Sequence, residues 1–273
     1  MINLLIFGPT GSMGKLISKL ALEDEDIRVV AACDVTNIGE KLANIVATSD
    51  PNDIKITNVE DLKQIIHKTK PDVAVDFTIA AATEKNCMIC AENGIRCVIG
   101  TTALSQEFLN NFETEIKKNH NPAVISPNMA TGVNVLFKMA SVLTSYLSDW
   151  DIEIIETHHH RKVDAPSGTA LKLGQILSES LGVEFEKIAK FGRNRGSNKR
   201  LVGAKREIGF HSIRAGDIVG DHTILYAGSG ERIEFKHQAH SRECFAEGSI
   251  VAIKFIVGAK EDKIYTTREV LGL

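Results

Sequence analysis

Ile2-Asn3-Leu4-Leu5-Ile6-Phe7-Gly8-Pro9-Thr10-Gly11-Ser12-Met13-Gly14 is the stretch that decides the fold. Its first half is apolar almost without alternation, the pattern of a strand covered on both faces, as in a parallel sheet. It runs directly into a G-x-x-G-x-x-G turn and then a helix-period segment, Lys15–Leu22. A glycine at the strand end lets the chain turn sharply, and another lets the backbone approach a pyrophosphate with no Cβ in the way. The helix that follows offers unpaired N–H groups and the positive end of its dipole. The spacing departs from the more familiar G-x-G-x-x-G, and alone the triplet reads equally as a tight turn. Context favours a dinucleotide: Asp34 falls 20 residues after Gly14, at the end of the second apolar run, where a carboxylate accepts hydrogen bonds from an adenosine ribose. Val35 follows it, so no basic side chain adjoins to hold a 2′-phosphate. NADH is the favoured cofactor and NADPH the alternative, with Lys41 able to reach the site from a loop.

Working outward, Val29–Cys33, Val73–Phe77, Cys97–Ile99 and Val124–Ser126 read as further buried strands. Between them Val59–Lys68, Ala80–Asn93 and Ser105–Asn119 read as helices, with Asn58 and Ser105 as N-caps and Gly94 at a C-terminus. This alternation predicts an α/β fold, a Rossmann-type doubly wound parallel sheet. Ligands of such sheets bind beyond the carboxyl ends of the strands. Thr78, Gly100, Thr101, Thr102 and the segment Ser126-Pro127-Asn128-Met129 therefore join Gly8 to Met13 and Asp34 as expected cofactor contacts. The pattern then changes. A helix over Val133–Leu147, a strand Ile152–Glu156 and a helix over Gly168–Leu181, capped by Ser167, precede strands at Glu207–Ile213, Ile218–Tyr226 and Glu231–Lys236. The turn sequences between those last three favour antiparallel pairing in an open mixed sheet. The expected domains are 1–129 with 239–273, and an α+β substrate-binding and oligomerisation domain over 130–238.

Composition sets the boundaries of function. Across 273 residues, 43% hydrophobic and 25% charged content is that of a globular protein, and a net charge of −3 argues against nucleic acid or an anionic membrane as partner. The exception is Lys190–Arg206, with seven basic residues and no acidic one, readable as a solvated loop or as a basic segment near an anionic ligand. RNA is disfavoured there because no aromatics are interleaved to stack bases. Five cysteines do not suggest a disulfide framework, and Cys87-x-x-Cys90 sits in an Ala-rich helix as small buried residues. No apolar run reaches the ~18–20 residues of a membrane span, and no signal sequence opens the chain, so a cytoplasmic, reduced protein is expected.

The chemistry is densest in Glu156-Thr157-His158-His159-His160-Arg161-Lys162-Val163-Asp164-Ala165-Pro166-Ser167-Gly168-Thr169-Ala170. Three consecutive histidines on an extended chain point to alternate faces, and no carboxylate lies at helix spacing to complete a metal set, so no metal is expected. Gly168-Thr169 opening a helix makes a carboxylate cradle, and the His and Lys just upstream supply a titratable pair for proton transfer.

That run resembles the substrate signature of the 4-hydroxy-tetrahydrodipicolinate reductase family, enzymes of lysine and diaminopimelate synthesis. Gly8–Gly14, Asp76-Phe77-Thr78, Gly100-Thr101-Thr102, Gly132-Val133-Asn134, Arg214–Gly220 and Gly230-Glu231-Arg232 match in order over nearly the whole chain. The resemblance implies hydride transfer from NADH or NADPH to a heterocyclic dicarboxylate with net loss of water. It implies His158 as the principal acid–base residue, Lys162 as proton donor, and His159, Gly168 and Thr169 as substrate-carboxylate contacts. A homotetramer assembled through the second domain's sheets is implied, with the segment from about residue 239 rejoining the cofactor domain. Two departures are visible: Val35 stands where many members carry Arg or Lys, and the cluster reads His-His-His-Arg-Lys with a His and an Arg exchanged. Two other readings are a related two-domain dehydrogenase of an amino acid or semialdehyde, and a dinucleotide-binding sensor without turnover. Neither needs His158, Lys162 and the Gly168-Thr169 cradle together.

Overall fold

The computed structural model describes residues 1–48, 53–200 and 207–273. The chain divides into two compact units, residues 1–131 with 242–273, and residues 132–241. In the first, strands β1 (Ile2–Phe7), β2 (Ile27–Asp34), β3 (Ile56–Asn58), β4 (Val73–Asp76), β5 (Arg96–Ile99) and β6 (Ala123–Ile125) alternate with helices. These are α1 (Ser12–Glu23), α2 (Leu42–Val46), α3 (Leu62–Thr69), α4 (Ala80–Glu92) and α5 (Gln106–Asn119). Helix α6 (Thr131–Tyr146) leads into the second unit. There β7 (Asp151–His158), α7 (Gly168–Ser180), α8 (Phe185–Ile188), β8 (Ala189–Phe191), β9 (Ile208–Arg214), β10 (Gly220–Ala227) and β11 (Arg232–Ala239) follow. The chain then returns to the first unit as α9 (Glu243–Val257), β12 (Ile264–Tyr265) and α10 (Thr267–Val270).

The first unit holds a seven-stranded sheet in the order β12-β6-β5-β4-β1-β2-β3, every pairing parallel. Strand β1 lies between the two halves of the winding, so the switch in strand order falls between β1 and β4. Its residues go alternately to two cores. Leu4 and Ile6 pack with Ile17 and Ala21 of α1 and with Ala252, Ile253 and Ile256 of α9. Leu5 and Phe7 pack with Leu62, Cys87, Cys90, Phe108, Phe112 and Ile116 of α3, α4 and α5. This two-sided burial is why β1 shows no polar alternation, and each fully buried Leu or Ile contributes about 1.5–3 kcal/mol. Ser105 caps α5 by accepting from the Phe108 N–H at 3.1 Å. Asn58 accepts from the Glu60 N–H at 3.1 Å, capping the 3₁₀ turn that precedes α3.

The second unit holds a five-stranded sheet in the order β11-β10-β7-β9-β8. Helices α6 and α7 cover one face. The Tyr226 hydroxyl on β10 pairs with Thr144 of α6 at 2.8 Å, and Gly174 of α7 lies so close to Phe210 on β9 that a Cβ would come within 2.3 Å of the ring. One expectation is corrected here. The strands over 207–236 do not form one antiparallel run: β10 and β11 pair antiparallel, but β9 leaves β10 and pairs parallel with β7. The helix α7 between β7 and β9 supplies the long crossover that parallel neighbours require.

Candidate active site

At the switch point the chain ends β1 at Gly8, whose φ of +64° favours glycine, and whose missing Cβ would otherwise lie 2.6 Å from Thr78 Cγ2. Gly14, inside the first turn of α1, packs so tightly that a Cβ would meet the Gly8 carbonyl oxygen at 1.9 Å. The N-cap, Gly11, provides no side-chain hydrogen bond, and the first turn carries no acidic residue. Thus no side-chain oxygen of the N-cap residue caps the leading N–H groups of α1. A dinucleotide pyrophosphate fits this cradle, since it brings the negative oxygens that an uncapped helix N-terminus favours.

Asp34 ends β2 beside this loop. One of its oxygens accepts from the Thr10 hydroxyl at 2.8 Å and the Thr10 N–H at 3.2 Å, the other from the Val35 N–H at 2.7 Å. Partial burial works against its charge, yet the hydrogen bonds from Thr10, Val35 and Thr36 hold the carboxyl below its usual range. Val35 is exposed, while Lys41 pairs with Asp53 at 2.8 Å. On the β4 side, fully buried Asp76 gathers the hydroxyls of Thr78 at 2.7 Å and Thr83 at 2.8 Å, and the Thr101 hydroxyl lies 2.8 Å from that of Thr83. The Thr78 and Thr101 hydroxyls are thereby turned towards Asp76, and the Thr78 N–H donates to the same carboxylate oxygen at 2.8 Å. Gly100 lies under the Phe77 ring, where a Cβ would come within 2.0 Å. Thr102 and Pro127 are exposed, Ser126 bonds the Asn128 carbonyl at 3.0 Å, and the Met129 side chain is buried in the core.

In the second unit, β7 carries Ile152, Ile154, Glu156 and His158 on its helix-covered face, with 154, 156 and 158 in register with Phe210, Ser212 and Arg214 of β9. Glu156 is 1% exposed and its carboxylate is bound from four directions. Arg214 grips it with both terminal nitrogens, at 2.9 and 2.8 Å, His158 Nδ1 lies 2.5 Å away, and the Ser167 N–H donates at 3.2 Å. Burial alone would raise this carboxyl, but the bonds from Arg214, Ser212 and His158 bring it down to about 2. Ser167 caps α7, its hydroxyl accepting from the Ala170 N–H at 3.2 Å and pairing with His222 Nε2 at 2.9 Å. Burial, with His158 nearby, pushes the His222 imidazole down to about 3, so it is neutral at pH 7. The two rings meet edge to face, with centroids 5.1 Å apart.

The loop after β7 continues the site. His158 is buried, His159 half-buried, and His160 exposed with Nδ1 2.9 Å from the Gly216 carbonyl. Lys162, half-buried, pairs with Asp164 at 2.7 Å. Gly168 opens α7 with no heavy atom within 4 Å of where its Cβ would be. Among the described residues no group of three or more His, Cys, Asp or Glu is arranged to hold a metal ion. The basic stretch 190–206 divides. Arg193 and Arg200 pair with Glu153 and Glu207, and Arg200 also with Asp151 at 2.8 Å, so these two cations are neutralised within the unit. Lys205 and Arg206 lie outside the described residues.

Two family models of dihydrodipicolinate reductase, its N-terminus and its C-terminus, match residues 2–129 and 132–271 in turn. The chain belongs to the dihydrodipicolinate reductase family. Full-length relatives agree. A 4-hydroxy-tetrahydrodipicolinate reductase of Methanococcoides burtonii is 45% identical over 100% of both chains. One of Methanocaldococcus jannaschii is 44% identical over 100% of this chain and 98% of its own. A solved dipicolinate-bound dihydrodipicolinate reductase from Paenisporosarcina sp. TG-14 superposes with a TM-score of 0.79 at 28% identity, covering 98% of each chain. Within this reductase-family chain, sequence reasoning quoted Glu156 and Arg214 but gave neither a role, and left His222 unremarked. The period of two along β7 puts Glu156 and His158 on one face and was a usable signal. No local signal places Arg214 or His222, which arrive 58 and 66 positions after Glu156 by strand pairing.

Proposed function

We propose that this member of the dihydrodipicolinate reductase family converts 4-hydroxy-tetrahydrodipicolinate to tetrahydrodipicolinate with NAD(P)H, in lysine and diaminopimelate synthesis. The carrying observation is the segment from Glu156 to Ala170. It joins a buried histidine held by a carboxylate, a lysine four residues on, and a capped helix N-terminus fit for an anion. The balance is one substrate, one NAD(P)H and one proton in, and tetrahydrodipicolinate, NAD(P)⁺ and water out. The nicotinamide supplies the hydride when bound, and the chain's own residues handle the protons. Lys162 donates at the reacting centre, His158 acts as acid and base, and His159 with the Gly168-Thr169 pair binds the substrate carboxylates. Residues Gly8 to Met13, Asp34, Thr78, Gly100 to Thr102 and Ser126 to Met129 hold the cofactor. The dipicolinate in the solved relative, itself a dicarboxylate, supports the substrate class. The test is an assay with substrate generated from pyruvate and aspartate semialdehyde, following loss of absorbance at ~340 nm, the reduced-nicotinamide band. Absence of turnover with both cofactors would overturn the reading.

NADH is the proposed preferred donor. The Asp34 carboxylate repels a 2′-phosphate, Val35 offers it nothing, and Lys41 is engaged by Asp53. Val35→Arg is expected to tighten NADPH binding about tenfold, the worth of one charge-assisted contact. An unchanged Kd would show that the phosphate is held elsewhere.

We also infer a homotetramer and a cytoplasmic location. The face of the five-stranded sheet opposite α6 and α7 carries Ile155, Thr157, Ile213, Thr223 and Leu225 among the charged Glu153, Asp221 and Lys236, with Ile213 45% exposed. Exposed apolar groups set among polar ones on a sheet face support a second copy as its cover. Light scattering is expected to return four chain masses, and a monomer would exclude the assembly. All five cysteines are free, which suits a reducing compartment, and no described helix is long and apolar enough to cross a membrane.

A further inference from the structure

Glu156 stands at the junction of three elements and touches none of the groups expected to meet substrate except His158. One oxygen faces His158 Nδ1 and one Arg214 nitrogen, while the other takes the second Arg214 nitrogen and the Ser167 N–H. We propose that Glu156 is a positioning residue, whose single carboxylate fixes both the tautomer of His158 and the entrance of the anion-binding helix α7. The proposal rests on the reading of His158 as the acid–base residue.

The geometry supports each half. A neutral imidazole that donates Nδ1–H to a carboxylate must present Nε2 as its working nitrogen. Here Nε2 faces Gly220, where a Cβ would lie 3.0 Å from it, so only glycine leaves that nitrogen uncrowded. The charged and titratable groups packed around the ring are Glu156 on its own strand, Arg214 on β9 and His222 on β10. With His222 neutral, Arg214 is the counter-charge that lets a buried carboxylate stay ionised, and its planar fork fixes the carboxylate plane. Arg214 also donates to the Asp164 carbonyl at 2.5 Å, so the same guanidinium steadies the loop that carries Lys162. On the other side, the Ser167 N–H bond fixes the residue whose hydroxyl caps α7 and meets His222. One carboxylate therefore sets the relative placement of the histidine and the helix N-terminus.

Glu156→Gln is the test, because the amide keeps the shape but has one acceptor oxygen in place of two. Its NH₂ must face one Arg214 nitrogen together with either His158 or the Ser167 N–H. The expected result is a kcat lower by about 100-fold, within the range for a mis-set catalytic histidine, with KM for substrate raised and NADH binding unchanged. In ¹⁵N-histidine spectra, the His158 ring nitrogens are expected to leave the single Nδ1-protonated pattern of the wild type. A kcat within about threefold of wild type, below the factor expected of one general acid–base group, or unaltered ring shifts would overturn the proposal. If the variant fails to fold, Arg214→Lys keeps the charge and removes the fork. It is expected to shift the same ring signals and lower kcat about tenfold, and unshifted signals would count against the proposal equally. His158→Ala separates the two ideas. Wild-type turnover in that variant removes the acid–base reading itself, whereas an inactive His158→Ala beside a fully active Glu156→Gln removes only the role of Glu156.

Discussion

Lys162→Ala is expected to lower kcat by ~10²–10⁴-fold, the contribution of a positioned proton donor, while the Kd for NADH stays at its wild-type value. The side chain is half-buried and paired with Asp164 at 2.7 Å, so the ammonium is held in place rather than swinging in solvent. Hydrogen bonding to Lys162 keeps the Asp164 carboxyl below its usual range. The proposed cofactor contacts belong to the other unit, so binding and turnover are expected to separate in this variant. Single-turnover kinetics and NADH fluorescence titration measure the two effects. A variant that keeps more than about half of kcat, far above the range for a lost general acid, would remove Lys162 from the proton path.

Gly14→Ala is expected to destabilise the protein by about 3 kcal/mol and to weaken NADH binding about 100-fold. The added methyl would sit 1.9 Å from the Gly8 carbonyl oxygen and 2.7 Å from its carbon, both backbone atoms that cannot rotate away. Relief comes only by moving the loop off α1, which displaces the N–H groups proposed to meet the pyrophosphate. Gly11→Ala is the control. Its φ of −72° and ψ of 167° suit alanine, and the nearest atom to the new Cβ is 3.4 Å away, so the fold is expected to hold. Thermal denaturation of the two variants against wild type gives the comparison. An unshifted melting temperature for Gly14→Ala would mean that the loop yields at no cost.

The first unit was legible because its strands are buried on both faces and its helices are long. β1, β2, β4 and β5 announce themselves as apolar runs, and Ser105 as a cap. Strands β3, β8 and β12 span two or three residues each, too few to show any period, and β12 is a strand only because Ile264 and Tyr265 pair with Ala123 and Val124. The partnership of β9 with β7 escaped for a different reason. Turn chemistry fixes where a strand ends, whereas the choice of neighbour is made by the packing of α7 over Phe210. In the site, His158, Lys162 and the Gly168-Thr169 pair were readable as a contiguous motif. The groups that hold them were not, since Arg214 and His222 meet Glu156 and Ser167 only once three strands align.

The return of residues 242–273 to the first unit bears on the order in which the protein is made. Helix α9 supplies Ala246, Ala252, Ile253 and Ile256 to the core beneath Leu4, Ile6, Val73 and Val75. While the ribosome is still extending past Ser241, all of residues 132–241 already exist, but β1 and β4 have one face covered by α1 without the share that α9 adds. The second unit can therefore close first, during synthesis, and the parallel sheet waits for a contact more than two hundred positions away. Such distant closures are slow and leave apolar strands open meanwhile. The nascent N-terminal half is thus the part of this chain that most needs protection from its neighbours.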